Sequence, residues 1–388
     1  MDKVLVIGNG FDLYHKLPTQ YTDFLYFVNH WDSFISKYDS ATKEIKDEDT
    51  IEVSLSEKGQ LTEQSISDFA KYKDAYSVEE LEQFEKNRSN KWITYFNRLL
   101  SDQSITGTRW IDFEQEIYNA LKHVAVFFDM VPLAFEDNKD FYSAVSNGVS
   151  VVWDVFFNSS PISYVQEKHK YNYYDKDLWN KYKEDILEYL KQELNKLCCC
   201  LEIYLLEFVC RIKNKVYSEQ IKLLGPVRLL NFNYTNTYKE VYGGERMIEQ
   251  HAIHGSALEK DIVLGIPDDT FADTTDYVYF QKYFQRIQKR TGSYYKKWIS
   301  EPKRRVLEDM PVEVYIMGHS LGESDKGILQ DIFLNDYVKK IYIFYHSQDS
   351  YEKMVINLVK MFGKDFVIVN TVDRIEFIKL KEANSENG

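Results

Sequence analysis

The sequence predicts an α/β fold in which a buried parallel sheet is interrupted by a large α-helical insertion. Three observations carry this expectation. Strand signals gather at the two ends of the chain, helical periods alternate with the later strands, and the long middle is helical in period. The apolar run Val4–Ile7 comes first. Val227–Phe232, Ile248–Ile253, Ile262–Gly265, Val312–Met317, Ile341–Tyr345 and Phe366–Val369 follow as further strand candidates. Each is short and rich in Val, Ile, Leu or aromatic residues, as strands buried on both faces are. Between them, Asp325–Tyr337 and Ser350–Phe362 have the clearest helical spacing.

The middle has its own pattern. Leu178, Tyr182, Ile186, Leu190, Leu194, Leu197, Leu201, Leu205 and Phe208 recur at intervals of three or four. That stripe predicts one amphipathic helix of roughly eight turns. Residues 40–75 are acidic and poor in apolar side chains and read as a mobile loop, and Ala383–Gly388 reads as a frayed tail. The domain organisation that results is a discontinuous core, residues 1–30 and 225–388, carrying a mainly helical insert over 31–224.

A chain of 388 residues exceeds the usual single domain, in keeping with a core plus an insert. Its 30 Tyr, 24 Phe and 6 Trp suit a helical shell whose rings are half-buried with polar tips. A formal net charge of −13 argues against broad nucleic-acid binding. The basic run of Arg286, Lys289, Arg290, Lys296 and Lys297 reads as a solvated helix face. Met1-Asp2-Lys3 leads straight into the first strand, so no secretory leader is expected. No apolar run approaches the roughly 18 residues of a membrane helix, and no membrane partner is expected. Cys198-Cys199-Cys200 are adjacent on one helix, so they can neither pair with one another nor provide zinc-ligand spacing. Reduced thiols, a cytoplasmic location and no metal site follow as expectations.

Four patches carry candidate chemistry. In Gly8-Asn9-Gly10-Phe11-Asp12 a buried strand runs into a glycine turn. Gly8 can take a positive φ, and Gly10 leaves room for a phosphate or ribose at the backbone, a Rossmann-like arrangement. The third glycine of the dinucleotide fingerprint is missing, because position 13 is Leu. Asn233 closes the strand Leu229-Leu230-Asn231-Phe232 at the end where α/β folds place ligands. His254, at the end of the next strand, is the general-base candidate because imidazole titrates near neutrality. Gly318-His319-Ser320-Leu321-Gly322 matches the nucleophile elbow of α/β-hydrolases, with Asp336 or Asp325 and then His346 as partners in the required order. No HGGG-like oxyanion loop accompanies that elbow.

These patches also carry a resemblance. The stretch Ile7–Phe24, with Leu17-Pro18-Thr19-Gln20-Tyr21 after the glycine turn, resembles the opening of AbiH proteins, a bacterial phage abortive-infection family. Further AbiH-like motifs occur in order at residues 110–114, 229–237, 251–256 and 314–325, so the likeness spans most of the chain. A more distant sirtuin-like resemblance rests on the glycine turn, Asn233, His254 and Gly318/Ser320. Together they imply a nucleotide site that hydrolyses the N-glycosidic bond of NAD, with NAD or a related nucleotide as substrate or ligand and no prosthetic group. By that resemblance Asn233 holds the ribose and a water, and His254 accepts the water's proton. Gly8, Asn9, Gly10, Phe11, Asp12, Thr19, Gly318, His319, Ser320 and Asp325 line the nucleotide. Asp12 departs from the sirtuin-like pattern, which has Ser there, and a carboxylate repels a pyrophosphate. NAD loss would stall an infected cell in answer to an unknown phage trigger, and the reading leaves room for a homo-oligomer. Two other readings stay open. One is a serine hydrolase using Ser320. The other is a non-catalytic nucleotide-sensing module, or a toxin acting on nucleic acid through the insert.

Overall fold

The computed structural model describes residues 2–40, 50–72, 75–104, 111–136, 147–159, 176–213, 216–299 and 311–385. The chain forms two compact units, one of residues 1–80, 201–263 and 286–388, the other of 81–200 and 264–285.

The first unit is built on a six-stranded, all-parallel sheet. Its strands are β1 (Asp2–Ile7), β2 (Val227–Asn231), β3 (Met247–Ala252), β4 (Val312–Met317), β5 (Val338–Tyr345) and β6 (Ile375–Lys379). They lie in the order β3-β2-β1-β4-β5-β6. This is the doubly wound Rossmann order, in which the chain reverses direction across the sheet between β1 and β4. Alternation along the strands explains why both faces are covered. Val4, Val6, Leu230, Val314, Ile316, Ile341 and Ile343 point into one apolar core with Leu329, Phe333 and Leu358 from the helices Lys326–Phe333 and Gln348–Phe362. Leu5, Ile7, Leu229, Met317 and Phe344 point into the other, with Phe11, Tyr238 and Tyr242. Each such aliphatic side chain contributes about 1.5–3 kcal/mol on burial.

The second unit is helical. Its core stacks Phe96 on Phe113 at 4.1 Å and sets Phe127 against Trp153 at 3.9 Å with the rings tilted. Trp92 donates its indole N–H to the carbonyl of Leu190 at 3.0 Å, so a large apolar body is buried with its one polar atom satisfied. The predicted stripe lies on a helix over Lys176–Ile203, with Ile186, Leu190, Leu194, Leu197 and Leu201 buried. That helix then widens into a π-helical turn over Tyr204–Val209. No helix among the described residues is long and apolar enough to cross a membrane.

Four expectations about elements are corrected. Phe366–Val369 is not a strand but part of a helix, Lys364–Asp373, and the last sheet strand is Ile375–Lys379. Ile262–Gly265 is buried but pairs with no strand; the Val263 N–H donates to the His254 carbonyl at 2.7 Å instead. Within 40–75, residues 41–49 and 73–74 lie outside the described residues, but the segment 50–72 is anchored. Ile51, Ile66 and Phe69 are fully buried, and Thr62 and Ser65 form a capping box on the helix Glu63–Phe69. In the tail, Asn384–Ser385 pairs antiparallel with Val216–Tyr217.

Candidate functional site

The loops that follow β1, β2, β3 and β4 hold two polar clusters, one around Asp12 and one around Asp325. The first is a buried polar group built around Asp12. Asn231, the last residue of β2, shapes the loop that follows. Its amide donates to the Thr235 carbonyl at 2.9 Å and its oxygen accepts the Asn233 N–H at 2.8 Å. This side-chain turn returns Thr235 toward the helix of the glycine turn, where its hydroxyl donates to Asp12 Oδ2 at 2.6 Å. Thr237 Oγ1 lies 3.0 Å from Thr235 Oγ1 and, with the Thr235 proton already given to Asp12, donates to it.

Asp12 is 1% exposed and Asn233 5%. Asp12 Oδ1 and both polar atoms of the Asn233 side chain are buried without a hydrogen-bond partner. Each orphaned group of this kind costs about 1–3 kcal/mol. Burial pushes the Asp12 carboxyl up to about 6, against the lowering influence of Thr235, Thr237 and Asn233. The Asn233 amide approaches closely enough to favour the carboxylate without reaching hydrogen-bond geometry to it.

The second cluster is two imidazoles on one carboxylate. His254 Nε2 lies 2.9 Å from Asp325 Oδ1, and His319 Nε2 lies 3.4 Å from Asp325 Oδ2. The Leu321 N–H donates to His319 Nδ1 at 2.9 Å, so in the neutral ring the proton sits on Nε2, facing Asp325. A ring in that tautomer has no lone pair on Nε2 for a metal. Phe232 meets both rings edge-on, at 5.4 Å for His254 and 4.4 Å for His319. The His254 loop is fixed by Gly255, at φ +73°, and by the Ser256 N–H donating to Asp261 Oδ1 at 2.7 Å.

The glycine turn is occupied differently from the expectation. Gly8 is extended, at φ −128°, so its role is not a positive φ. A Cβ on Gly8 would come within 2.8 Å of His319 Cα, and one on Gly10 within 2.8 Å of Gly318 Cα. Gly318 itself stands at φ +70° against the backbone of Phe11. The glycines therefore let the β1 and β4 loops touch backbone to backbone. The N–H groups of Gly8, Gly10 and Phe11 donate to the carbonyls of Met317, Gly318 and Gly8 at 3.2, 2.8 and 2.7 Å. Those donors are committed within the protein, which is why the turn does not present them to a phosphate.

Other predicted positions make contacts within the fold. The Phe11 ring is fully buried in the second core, 4.4 Å from the ring of His15. The Thr19 hydroxyl donates to Asn9 Oδ1 at 2.6 Å, tying the turn to the segment before the next helix. Ser320 is exposed and its carbonyl accepts from Asn357 at 3.0 Å. Asp325 is engaged by His254 and His319 and so does not orient the exposed His346, which leaves the elbow without the partner expected at Asp325. Trp110 lies outside the described residues. Asp112 caps the helix Phe113–Glu136 through the Glu114 N–H at 3.0 Å, and Glu114 pairs with the buried Lys282 at 2.8 Å. Asn231, Thr235 and Thr237 join the Asp12 group without being among the residues that the sequence singles out. The available signal was the dense polar run Asn231-Phe232-Asn233-Tyr234-Thr235-Asn236-Thr237 directly after a buried strand.

A family model described as "Bacteriophage abortive infection AbiH" matches residues 4–346. No curated protein matches the chain, and neither does any solved structure.

Proposed function

Because the chain belongs to the AbiH family of bacteriophage abortive infection proteins, we propose that its defence role runs through a small-molecule site at this sheet edge. In this reading the site binds a ribose-bearing nucleotide and hydrolyses its N-glycosidic bond, with NAD the first substrate to test. The observation that carries it is the set of orphaned buried atoms, Asp12 Oδ1 with Asn233 Oδ1 and Nδ2. Buried polar atoms in native proteins nearly always have partners, so a ligand that brings hydroxyl donors and an acceptor accounts for three atoms at once. A ribose does this: its hydroxyls donate to Asp12 and to the Asn233 oxygen, and one of its oxygens accepts from the Asn233 amide.

The second cluster supplies the chemistry. With Nε2 donating to Asp325, the neutral His254 ring carries its lone pair on Nδ1. A water attacks C1′ of the ribose and loses its proton to that nitrogen. The C1′–N bond breaks and its electron pair returns to the leaving heterocycle. Nicotinamide leaves as a neutral base from a pyridinium, so no acid is required. Asp325 fixes the ring and steadies the imidazolium that forms, and His319 holds the carboxylate from its other oxygen.

The test is nicotinamide release from NAD by the purified protein, with and without lysate from infected cells. Wild type is expected to release it, and Asp325→Asn to lose about 100-fold or more in rate while still binding ADP-ribose. Protein that binds ADP-ribose but leaves NAD intact under both conditions would replace hydrolysis with nucleotide sensing. Failure to bind either ligand would remove the site.

A further inference from the structure

A cavity of about 220 Å³ lies in the same unit, walled largely by apolar side chains, among them Leu17, Leu206, Val209, Val241 and Leu258. Its polar wall includes Thr237, whose hydroxyl belongs to the Asp12 network, and Tyr234, the neighbour of Asn233. Cys210 also lines it. Cys210 is itself exposed, and its thiol adds a soft, polarizable atom to that wall.

Its size and its construction both bear on what it holds. The volume falls below the roughly 300–1,000 Å³ of sites for drug-sized ligands, and corresponds to one ring system rather than a whole dinucleotide. Leu206 and Val209 reach it from the π-helical turn over Tyr204–Val209, whose closing N–H, on Cys210, bonds back to the Leu205 carbonyl at 2.8 Å. A π turn weakens local hydrogen bonding and recurs at functional sites. Here it places two aliphatic side chains on the cavity wall.

We propose that this cavity takes the planar heterocyclic base of the nucleotide whose ribose is held by Asp12 and Asn233. The inference rests on the ribose-binding reading and adds to it the base subsite. The aliphatic walls accept either face of a flat ring, and Thr237 and Asn236 meet its polar edge.

The experiment compares three ligands on the full chain by calorimetry: ribose 5-phosphate, nicotinamide mononucleotide and adenosine 5′-monophosphate. The last two differ from the first by carrying a base. Burying one ring face-on corresponds to about 10- to 100-fold in affinity, so the nucleotides are expected to bind wild type that much more tightly than ribose 5-phosphate. Two filling variants from different walls, Leu206→Phe and Val241→Phe, are each checked for an unchanged unfolding transition, and a variant whose transition is lost is read from the other one. Filling is expected to collapse the nucleotides to the affinity of ribose 5-phosphate and to leave ribose 5-phosphate itself unmoved. A base that adds nothing in wild type, or an advantage that survives filling, overturns the base subsite alone. If none of the three binds wild type, the ribose-binding reading fails and the base subsite fails with it.

Discussion

Replacing Asp12 by Asn isolates the energetic cost of the orphaned carboxylate. Asn keeps the shape and keeps an acceptor for Thr235, so the change removes chiefly the charge. The Asp12 carboxyl is raised from 3.8 to about 6 by burial. A raised carboxyl means that the native state holds its proton longer than the unfolded chain. Its favourable contribution is therefore complete below pH 3.8 and is lost as pH rises through about 6. A shift of about two units corresponds to about 3 kcal/mol at 1.36 kcal/mol per unit. Ligand-free Asp12→Asn should thus match wild type within about 1 kcal/mol near pH 4 and exceed it by about 3 kcal/mol above pH 7. Urea unfolding at a series of pH values, followed by intrinsic fluorescence, reads the difference directly. A stability gap that is flat with pH, or that shrinks toward pH 8, would refute the claim that Asp12 is a desolvated, under-bonded carboxylate. The case for a ligand at that atom would go with it.

Two further outcomes test the frame around the site. Gly318→Ala places a Cβ into the Phe11 backbone at a φ of +70°. It should cost about 2 kcal/mol or more in unfolding free energy, while Gly327→Ala, with open space at its Cβ, should cost nothing comparable. In the helical unit, Lys282 is 1% exposed and pairs with Glu114. Lys282→Met alone should destabilise by about 3–5 kcal/mol, and the double change Lys282→Met with Glu114→Leu should recover most of that loss, as a double-mutant unfolding cycle would measure.

Much of the sheet was legible because its strands are buried on both faces and so read as apolar runs. Val312–Met317 is found with the bounds expected, and β1, β2, β3 and β5 within a few residues. The errors share a cause. Phe366-Val367-Ile368-Val369 has strand-like composition but lies on a helix that leaves Ile368 and Val369 62% and 68% exposed. The true edge strand, Ile-Glu-Phe-Ile-Lys over 375–379, is half-exposed, and its charged residues hid it. At the site, Asn233, His254, His319 and Asp325 stood out as polar residues at the ends of strands or in glycine-bearing loops. Thr235 and Thr237 did not, because a hydroxyl gains meaning only from the carboxylate it reaches, and Asp12 is 223 positions away from Thr235.

Local pattern by itself determined the α/β class, the helical character of the middle and the polar residues that close each strand, since these follow from periodicity and from the few residue types that tolerate a strand's end. Which atoms those residues would leave unsatisfied was decided only in three dimensions. The strand order puts β4 beside β1, and the carbonyls of Met317 and Gly318 then take up the Gly8 and Gly10 N–H groups that the glycine turn would otherwise offer to a phosphate. The same packing strips water from Asp12 and Asn233 and leaves Asp12 Oδ1 and the Asn233 amide without partners, because hydrogen-bond satisfaction is settled between segments that adjacency in the chain does not relate.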